Sequence, residues 1–227
     1  MHTYEYPRPG YTADSVIFGY DGKELKVLLI QRKDNPFKDQ WAIPGGFCNQ
    51  HETSQQTAQR ELQEETGVNH GYMEQLGTWD TPGRDPRGWV ATVAYFALVN
   101  LNHHNPKTAD DAKATDWFPI NKLPEKLAFD HKDILKTAIR RLRAKITYAP
   151  VGFELLPPKF TLSQLQALYE TILGISIDKR NFRKKMLSLN FLVPLEEKSS
   201  SESGRPAQLF RFDKKRYSKP TKFHLEF

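Results

Sequence analysis

Three glutamates, Glu61, Glu64 and Glu65, stand at i, i+3 and i+4 within the segment GFCNQHETSQQTAQRELQEETGV, residues 46–68. On a helix that spacing gathers all three carboxylates on one face. Like charges so placed repel, and a helix that accepts the cost usually has a cation nearby. An oxygen-only ligand set selects a hard ion, Mg2+ or Mn2+. Mg2+ prefers a few carboxylates, several waters and substrate phosphates to a full protein cage, so the expected substrate is a phosphate ester or anhydride. Glu52 opens the helix, and Arg60 lies two turns on, where the two are expected to pair and hold the loop on the helix. Gly45 and Gly46 let the backbone come close to a metal, where a carbonyl can serve as ligand. Gly67 ends the helix. Three glutamates alone would read better as a solvated acidic face. Nine positions specified together are more than such a face requires.

The elements that must position these groups read as a sheet flanked by helices. DSVIFGY (14–20) and LKVLLIQR (25–32) are β-branched and apolar around Asp21-Gly22, a two-residue hairpin signal. WAIP (41–44) is a further short apolar piece ended by Gly45-Gly46. Helical periodicity runs from near Thr53 to Gly67. Residues 72–80, 88–99 and 113–120 read as strands, the second long, apolar and central. Residues 130–146 read as an amphipathic helix with Ile134, Ala138, Leu142 and Ile146 four apart. Ala149-Pro150 and Pro157-Pro158 then bracket a short extended stretch suited to a linker. Beyond it come a helix from Thr161, its N-cap, to Leu173 and a basic helix from Asp178 to Leu189. Two strands, 191–195 and 208–212, follow around a Ser-rich loop. Helix, helix and β-hairpin in a small basic unit outline a winged helix-turn-helix.

Charge supports that division. The chain has 227 residues and a net charge of +6. Residues 1–150 carry 19 Lys+Arg and 19 Asp+Glu, and residues 151–227 carry 14 and 8, so the whole excess lies in the last third. Such asymmetry suggests that this part meets a polyanion. In the second helix Phe182 and Met186 face inward. Lys179, Arg180, Arg183 and Lys184 form i, i+4 pairs on its other sides, the layout of a recognition helix facing phosphates and base edges. Arg205, in the hairpin, is placed to reach a backbone or a minor groove. A single cysteine, Cys48, excludes an intrachain disulfide and a Cys-rich zinc site and reads as incidental. No apolar run reaches the length of a membrane span, and the first residues lack the features of a secretion signal, so the expectation is a cytoplasmic protein with no membrane partner.

The acidic segment resembles the Nudix box, G-x5-E-x7-R-E-U-x-E-E-x-G-U with U apolar, at every position. That resemblance implies a mixed α/β (α+β) Nudix domain over residues 1–148 that hydrolyses nucleoside diphosphates linked to another moiety. It implies Glu61, Glu64, Glu65 and the Gly45 carbonyl as metal ligands, Glu61 and Glu64 as catalytic groups, and Gly46, Glu52, Arg60 and Gly67 as the structural box. PGRDPRGW (82–89) is similar to the RDPRG segment of ADP-ribose pyrophosphatases, as are ADDAKATDW (109–117) and AFDH (128–131). The implied ligand is ADP-ribose, with Arg84 and Arg87 as anion forks, Trp89 as a base platform, and Asp110 or Asp111 orienting the attacking water. His131 reads as a helix-start or core histidine. FTLSQLQALYE, IDKRNFRKKM and GRPAQLFRF resemble the C-terminal domain of the Nudix-related transcriptional regulators. The expectation is therefore a homodimeric regulator in which ADP-ribose binding and hydrolysis to AMP and ribose 5-phosphate are coupled to operator DNA. A linker over 149–158 would join the Nudix domain to a winged helix over 159–227. A metabolic hydrolase with no DNA role and a non-hydrolysing sensor of ADP-ribose or sugar remain open at this point. Many of these regulators have a degraded box, whereas this chain keeps it whole.

Overall fold

The computed structural model describes residues 5–67, 71–101, 112–199 and 206–217. The chain divides into two compact units, one formed by the chain up to Gly19 with Lys26–Arg141, the other by Tyr20–Leu25 and everything from Leu142 onward.

The elements from Gly10 to Tyr148 are β1 (Gly10–Tyr20), β2 (Leu25–Arg32), β3 (Trp41–Ala42), β4 (Gly45–Phe47), α1 (Ser54–Thr66), β5 (Tyr72–Trp79), β6 (Val90–Asn100), β7 (Ala112–Pro119) and α2 (His131–Tyr148). The strands hydrogen-bond in the order β3-β2-β1-β6-β5, with β4 also paired to β1 and β7 to β2. The apolar runs of β1 and β6 lie inside the sheet and are buried almost throughout, as strands covered on both faces must be. Gly22, in the turn between β1 and β2, has φ 93°, the left-handed conformation the Asp-Gly signal implies.

Helix α1 is fixed at both ends by its own sequence. Thr53 and Gln56 form a capping box, and Gly67 closes the helix at φ 74°. Such an N-cap contributes about 1 kcal/mol. One face docks on the sheet. Ala58 meets Ala13, Val93 and Tyr95, and Leu62 meets Ile17, Leu28, Ala97 and Val99. Burying a leucine contributes about 1.5–3 kcal/mol, and this contact fixes the rotation of α1 and so the direction of its acids.

The second unit contains a 3-10 turn (Pro150–Leu155), β8 (Phe160–Thr161), α3 (Leu162–Leu173), α4 (Lys179–Leu187), β9 (Leu192–Lys198), β10 (Gln208–Phe212) and α5 (Lys214–Tyr217). The turn replaces the extended stretch expected after Ala149. Its apolar residues Val151, Phe153 and Leu155 are buried, and Phe153 stacks on Phe212 at 4.5 Å and 4°. Pro150 suits this because its fixed φ fits the first position of a helical turn. Strands β8, β10 and β9 pair antiparallel. Between α3 and α4 the chain turns at Gly174, φ 71°. The turn is closed by Glu170, which accepts from the Ile177 N–H at 2.9 Å, and by Gln166, which donates to the Ile177 carbonyl at 2.9 Å. Asp178 caps α4 by accepting from the Asn181 N–H at 2.8 Å. This is a winged helix-turn-helix, as expected.

Candidate active site and nucleic-acid interface

The acidic face of α1 meets the backbone of β4. That strand was expected only as the end of a short apolar piece. Instead it pairs with β1, placing Gly46 opposite Ala13 and Gly45 opposite Asp14. Close approach requires Gly45, where a Cβ would stand 2.6 Å from the Ala13 carbonyl oxygen, whereas one on Gly46 would meet only the end of the Glu61 side chain. A Cβ on Gly46 would stand 2.2 Å from Glu61 Oε1, and one on Gly45 would stand 2.2 Å from Asp14 Oδ1. The Gly46 backbone and the Glu61 carboxylate therefore face each other, and a methyl group there would push the carboxylate aside.

Arg60 organises the acids. Its Nε donates to Glu52 Oε1 at 3.2 Å, and its Nη1 donates to Glu61 Oε1 at 2.9 Å and Glu64 Oε2 at 3.2 Å. Burial works against the charge on Arg60, but these carboxylates outweigh it and raise its pKa. Glu52 also accepts from the Asn49 N–H and the Thr57 hydroxyl, and with Arg60 these hold its carboxyl at about 2. The expected pairing of Glu52 with Arg60 is present; the extension of Arg60 to Glu61 and Glu64 was not foreseen. Glu65 is only 2% exposed and accepts from the Thr115 hydroxyl at 3.2 Å, whereas the Glu64 side chain is 49% exposed. Among the described residues no three acidic, histidine or cysteine side chains converge as a ready metal cage. What the structure offers is Glu52, Glu61 and Glu64 gathered on the Arg60 guanidinium, with Glu65 turned to Thr115, beside a strand whose missing Cβ leaves the Glu61 carboxylate open to the backbone. That chemistry fits a hard divalent ion.

Beside β4 lies a cleft of about 360 Å³, lined among others by Asp14, Arg32, Gly45, Gly46, Phe47, Arg84, Arg87, Phe129 and His131. Arg84 is deeply buried, its side chain 4% exposed, and it is bound by Asp130 through Nε at 2.9 Å and Nη2 at 2.7 Å. Arg87 is gripped by Asp85 through Nε and Nη2 and lies over the rings of Phe47 and Phe129 at 5.1 and 5.5 Å. Burial opposes ionisation of Asp85, yet its bonds from Arg87 win and lower its pKa. Trp89 is 54% exposed and lines a separate shallow depression with Pro82, Gly83 and Pro86. The structure thus brings Arg84 and Arg87 to one cleft and leaves Trp89 outside it.

Sequence reasoning missed Asp14, Asp130 and the part played by His131. Asp14 was visible as the one acid in the apolar run of β1. Asp130 and His131 sit in the AFDH segment at the start of α2, where the Ala128 N–H donates to the Trp41 carbonyl at 2.8 Å. His131 is buried, and its Nδ1 accepts from the Ile43 N–H at 2.9 Å. That bond leaves the proton on Nε2. Burial further lowers the imidazole pKa, against the pull of Asp14 and Asp130, so the ring is neutral. Phe129 precedes them at φ 53°, a strained conformation for a bulky side chain and of the kind found at binding sites. Cys48 is partly buried and its thiol is pushed up by burial. Asp110, Asp111 and Val68 lie outside the described residues.

In the second unit, Phe182 and Met186 turn α4 inward, with Phe182 edge-on to Tyr169 at 5.7 Å. Lys179, Arg180, Arg183 and Lys184 are exposed, and so is Lys185, which the i, i+4 pairing overlooked. Among the described residues none of these five side chains enters an ion pair. Arg205 falls outside the described residues.

A Nudix-type box folded against a cleft and a winged helix with a cationic α4 define the class. The family described as NUDIX domain matches residues 9–138, and the NrtR DNA-binding winged helix domain matches residues 152–212. The chain belongs to the Nudix family and carries the NrtR type of winged helix. It is 40% identical over 211 residues to the ADPR responsive transcriptional repressor NtrR of Acinetobacter baylyi, covering 92% of this chain and 84% of that one. It is 41% identical over 135 residues to the ADP-ribose pyrophosphatase of Methanocaldococcus jannaschii, 60% of this chain and 76% of that one. Shewanella oneidensis NrtR, in complex with a 27mer DNA, superposes with a TM-score of 0.79 at 35% identity over 95% of this chain and 99% of that one. The Nudix domain of the same protein, in complex with ADP ribose, superposes with a TM-score of 0.53 at 37% identity over 60% of this chain and 90% of that one. Among the described residues no helix is long and apolar enough to cross a membrane.

Proposed function

We propose that this chain is an ADP-ribose-responsive transcriptional regulator whose Nudix domain also hydrolyses ADP-ribose to AMP and ribose 5-phosphate. The observation that carries the reading is the complete acidic box, docked through Gly46 beside an arginine-walled cleft, in one chain with a helix bearing five cations that have no ion pair among the described residues. Glu61, Glu64, Glu65 and the Gly45 carbonyl would hold Mg2+ or Mn2+, which supplies charge neutralisation at the diphosphate and a more acidic water. Glu52 and Arg60 fix the loop on α1 and keep the acids gathered. Arg84 and Arg87 line the substrate cleft, and Trp89 stands outside it. Asp110 or Asp111 orients the water. Its oxygen bonds to phosphorus, the bridging P–O bond breaks, and the water's proton leaves to solvent through that base.

Lys179, Arg180, Arg183, Lys184 and Arg205 meet an operator in double-stranded DNA. The protein acts as a homodimer in the cytoplasm, since helix-turn-helix modules usually read paired half-sites. Ligand shifts DNA affinity by its differential binding to two states. The test is a gel shift with and without ADP-ribose, run beside an assay for AMP. Loss of all DNA binding at low salt would remove the regulator half, and absence of AMP would remove the hydrolase half. A second reading, a sensor that binds without hydrolysis, is favoured by one observation: Glu61 and Glu64 are both held on the Arg60 Nη1. In that case ADP-ribose alters the gel shift while no AMP forms.

A further inference from the structure

Asp14 accepts no hydrogen bond from any described residue, although its side chain is only 10% exposed. A buried carboxylate in that condition is costly and calls for an explanation. Its Oδ1 lies against Gly45, in the space a Cβ would fill. Its Oδ2 faces the cleft between two donors, Arg84 Nη2 and His131 Nε2, each 3.8 Å away. Those separations are too long for direct hydrogen bonds. They leave room for an oxygen atom seated among the three groups, as a bridging water would be.

Both donors are held from behind. Asp130 grips Arg84 by two bonds, and the Ile43 N–H pins His131 Nδ1, so the Nε2–H faces Asp14. Asp130 already takes the Arg84 guanidinium by two bonds, so Asp14 is the carboxylate left to face a ligand here, while Arg32 and Arg87 line the same cleft. A diphosphate would be repelled by Asp14. A hydroxyl would not, because it can donate to Asp14 Oδ2 while accepting from Arg84 or His131. We infer that Asp14, Arg84 and His131 form a subsite for a sugar hydroxyl, so that Arg84 reads a ribose and not the diphosphate. This rests on the ADP-ribose reading above and deepens it. The hydroxyl comes either from the adenosine ribose or from the distal ribose.

Three ligands separate the sources: ADP-ribose, ADP, which lacks the distal ribose, and 2′,3′-dideoxy-ADP, which lacks both sugar diols. Affinities are measured by calorimetric titration of full-length protein carrying Glu64→Gln, which slows turnover, with no divalent metal added. Adding Asp14→Asn keeps the side chain's shape and removes its charge. For a distal-ribose subsite, it weakens ADP-ribose about tenfold and leaves ADP unchanged. For an adenosine-ribose subsite, it weakens ADP-ribose and ADP by that factor and spares the dideoxy compound. Adding His131→Asn instead keeps an acceptor for the Ile43 N–H and removes the Nε2 donor. It gives the same pattern if Asp14→Asn fails to fold, as judged by thermal melting. An equal loss for all three ligands, or no loss for any, overturns the subsite. Failure of the parent to bind ADP-ribose overturns the proposed ligand instead.

Discussion

The cleft and the outer face of α4 are both rich in cations, yet they hold them in opposite ways. In the cleft Arg84 and Arg87 are each bound to a carboxylate at 2.7 Å. The five cations of α4 are exposed and have no ion pair among the described residues. Paired guanidiniums have lost their rotamer freedom before any ligand arrives, which suits a site that must hold one small molecule in one pose. Free cations on a short helix suit a regularly charged polyanion, where binding comes from counterion release and depends steeply on salt. The protein separates orientation from attraction and gives each its own unit.

The largest effect expected is on turnover. Glu64→Gln lowers kcat for ADP-ribose by about 10²–10⁴-fold. It leaves the melting temperature within the range of surface changes, because Glu64 is half exposed. AMP release and a thermal melt check both, and an operator gel shift without ligand stays as it was. A loss of DNA binding in this variant would break the separation between the regions. Gly46→Ala comes next. Its Cβ meets Glu61 Oε1, and moving a catalytic group by about 1 Å costs on the order of a hundredfold in kcat/KM. Unchanged kinetics would show that Glu61 relaxes without consequence.

Arg183→Ala with Lys184→Ala weakens DNA binding on the order of tenfold and reduces the slope of log K against log salt by about 2. ADP-ribose turnover stays constant. Gel shifts across a salt series decide this, and an unchanged slope would mean that these side chains meet no phosphate. The smallest effect is on acid stability. Glu52 has its carboxyl held at about 2, below its usual 4.5, chiefly by Arg60. A lowered carboxylate pKa stabilises the fold fully above pH 4.5 and less as pH falls toward about 2. Glu52→Gln therefore flattens the stability curve in that window, as chemical unfolding at pH 2.5, 4 and 6 would register.

Local signals carried most of the fold. Thr53 and Gly67 bound α1, Thr161 caps α3, and Asp178 caps α4, because caps are written in adjacent residues. The β4 strand was hidden because two of its three residues are glycine, and its pairing with β1 depends on residues over 30 positions away. The 3-10 turn at Pro150 was hidden because paired prolines suggest extended chain, while burial of Phe153 decided otherwise. At the site, the i, i+3, i+4 acids were legible from spacing alone. The pairing of Arg84 with Asp130 was not, since 46 positions separate them. Asp14 looked like a lone polar residue in a strand, and only the fold sets it between Arg84 and His131.

Phe129 has a wider consequence. Because its backbone is left-handed, three successive side chains reach four different partners: the Phe129 ring meets Arg32 and Arg87, Asp130 meets Arg84, and His131 meets the backbone at Ile43. Each of these letters could change and disturb one contact. Adding a letter between Ala128 and Phe129 would turn the helix start by about 100° and misdirect all three together. This short stretch should therefore tolerate respelling far better than any change of length.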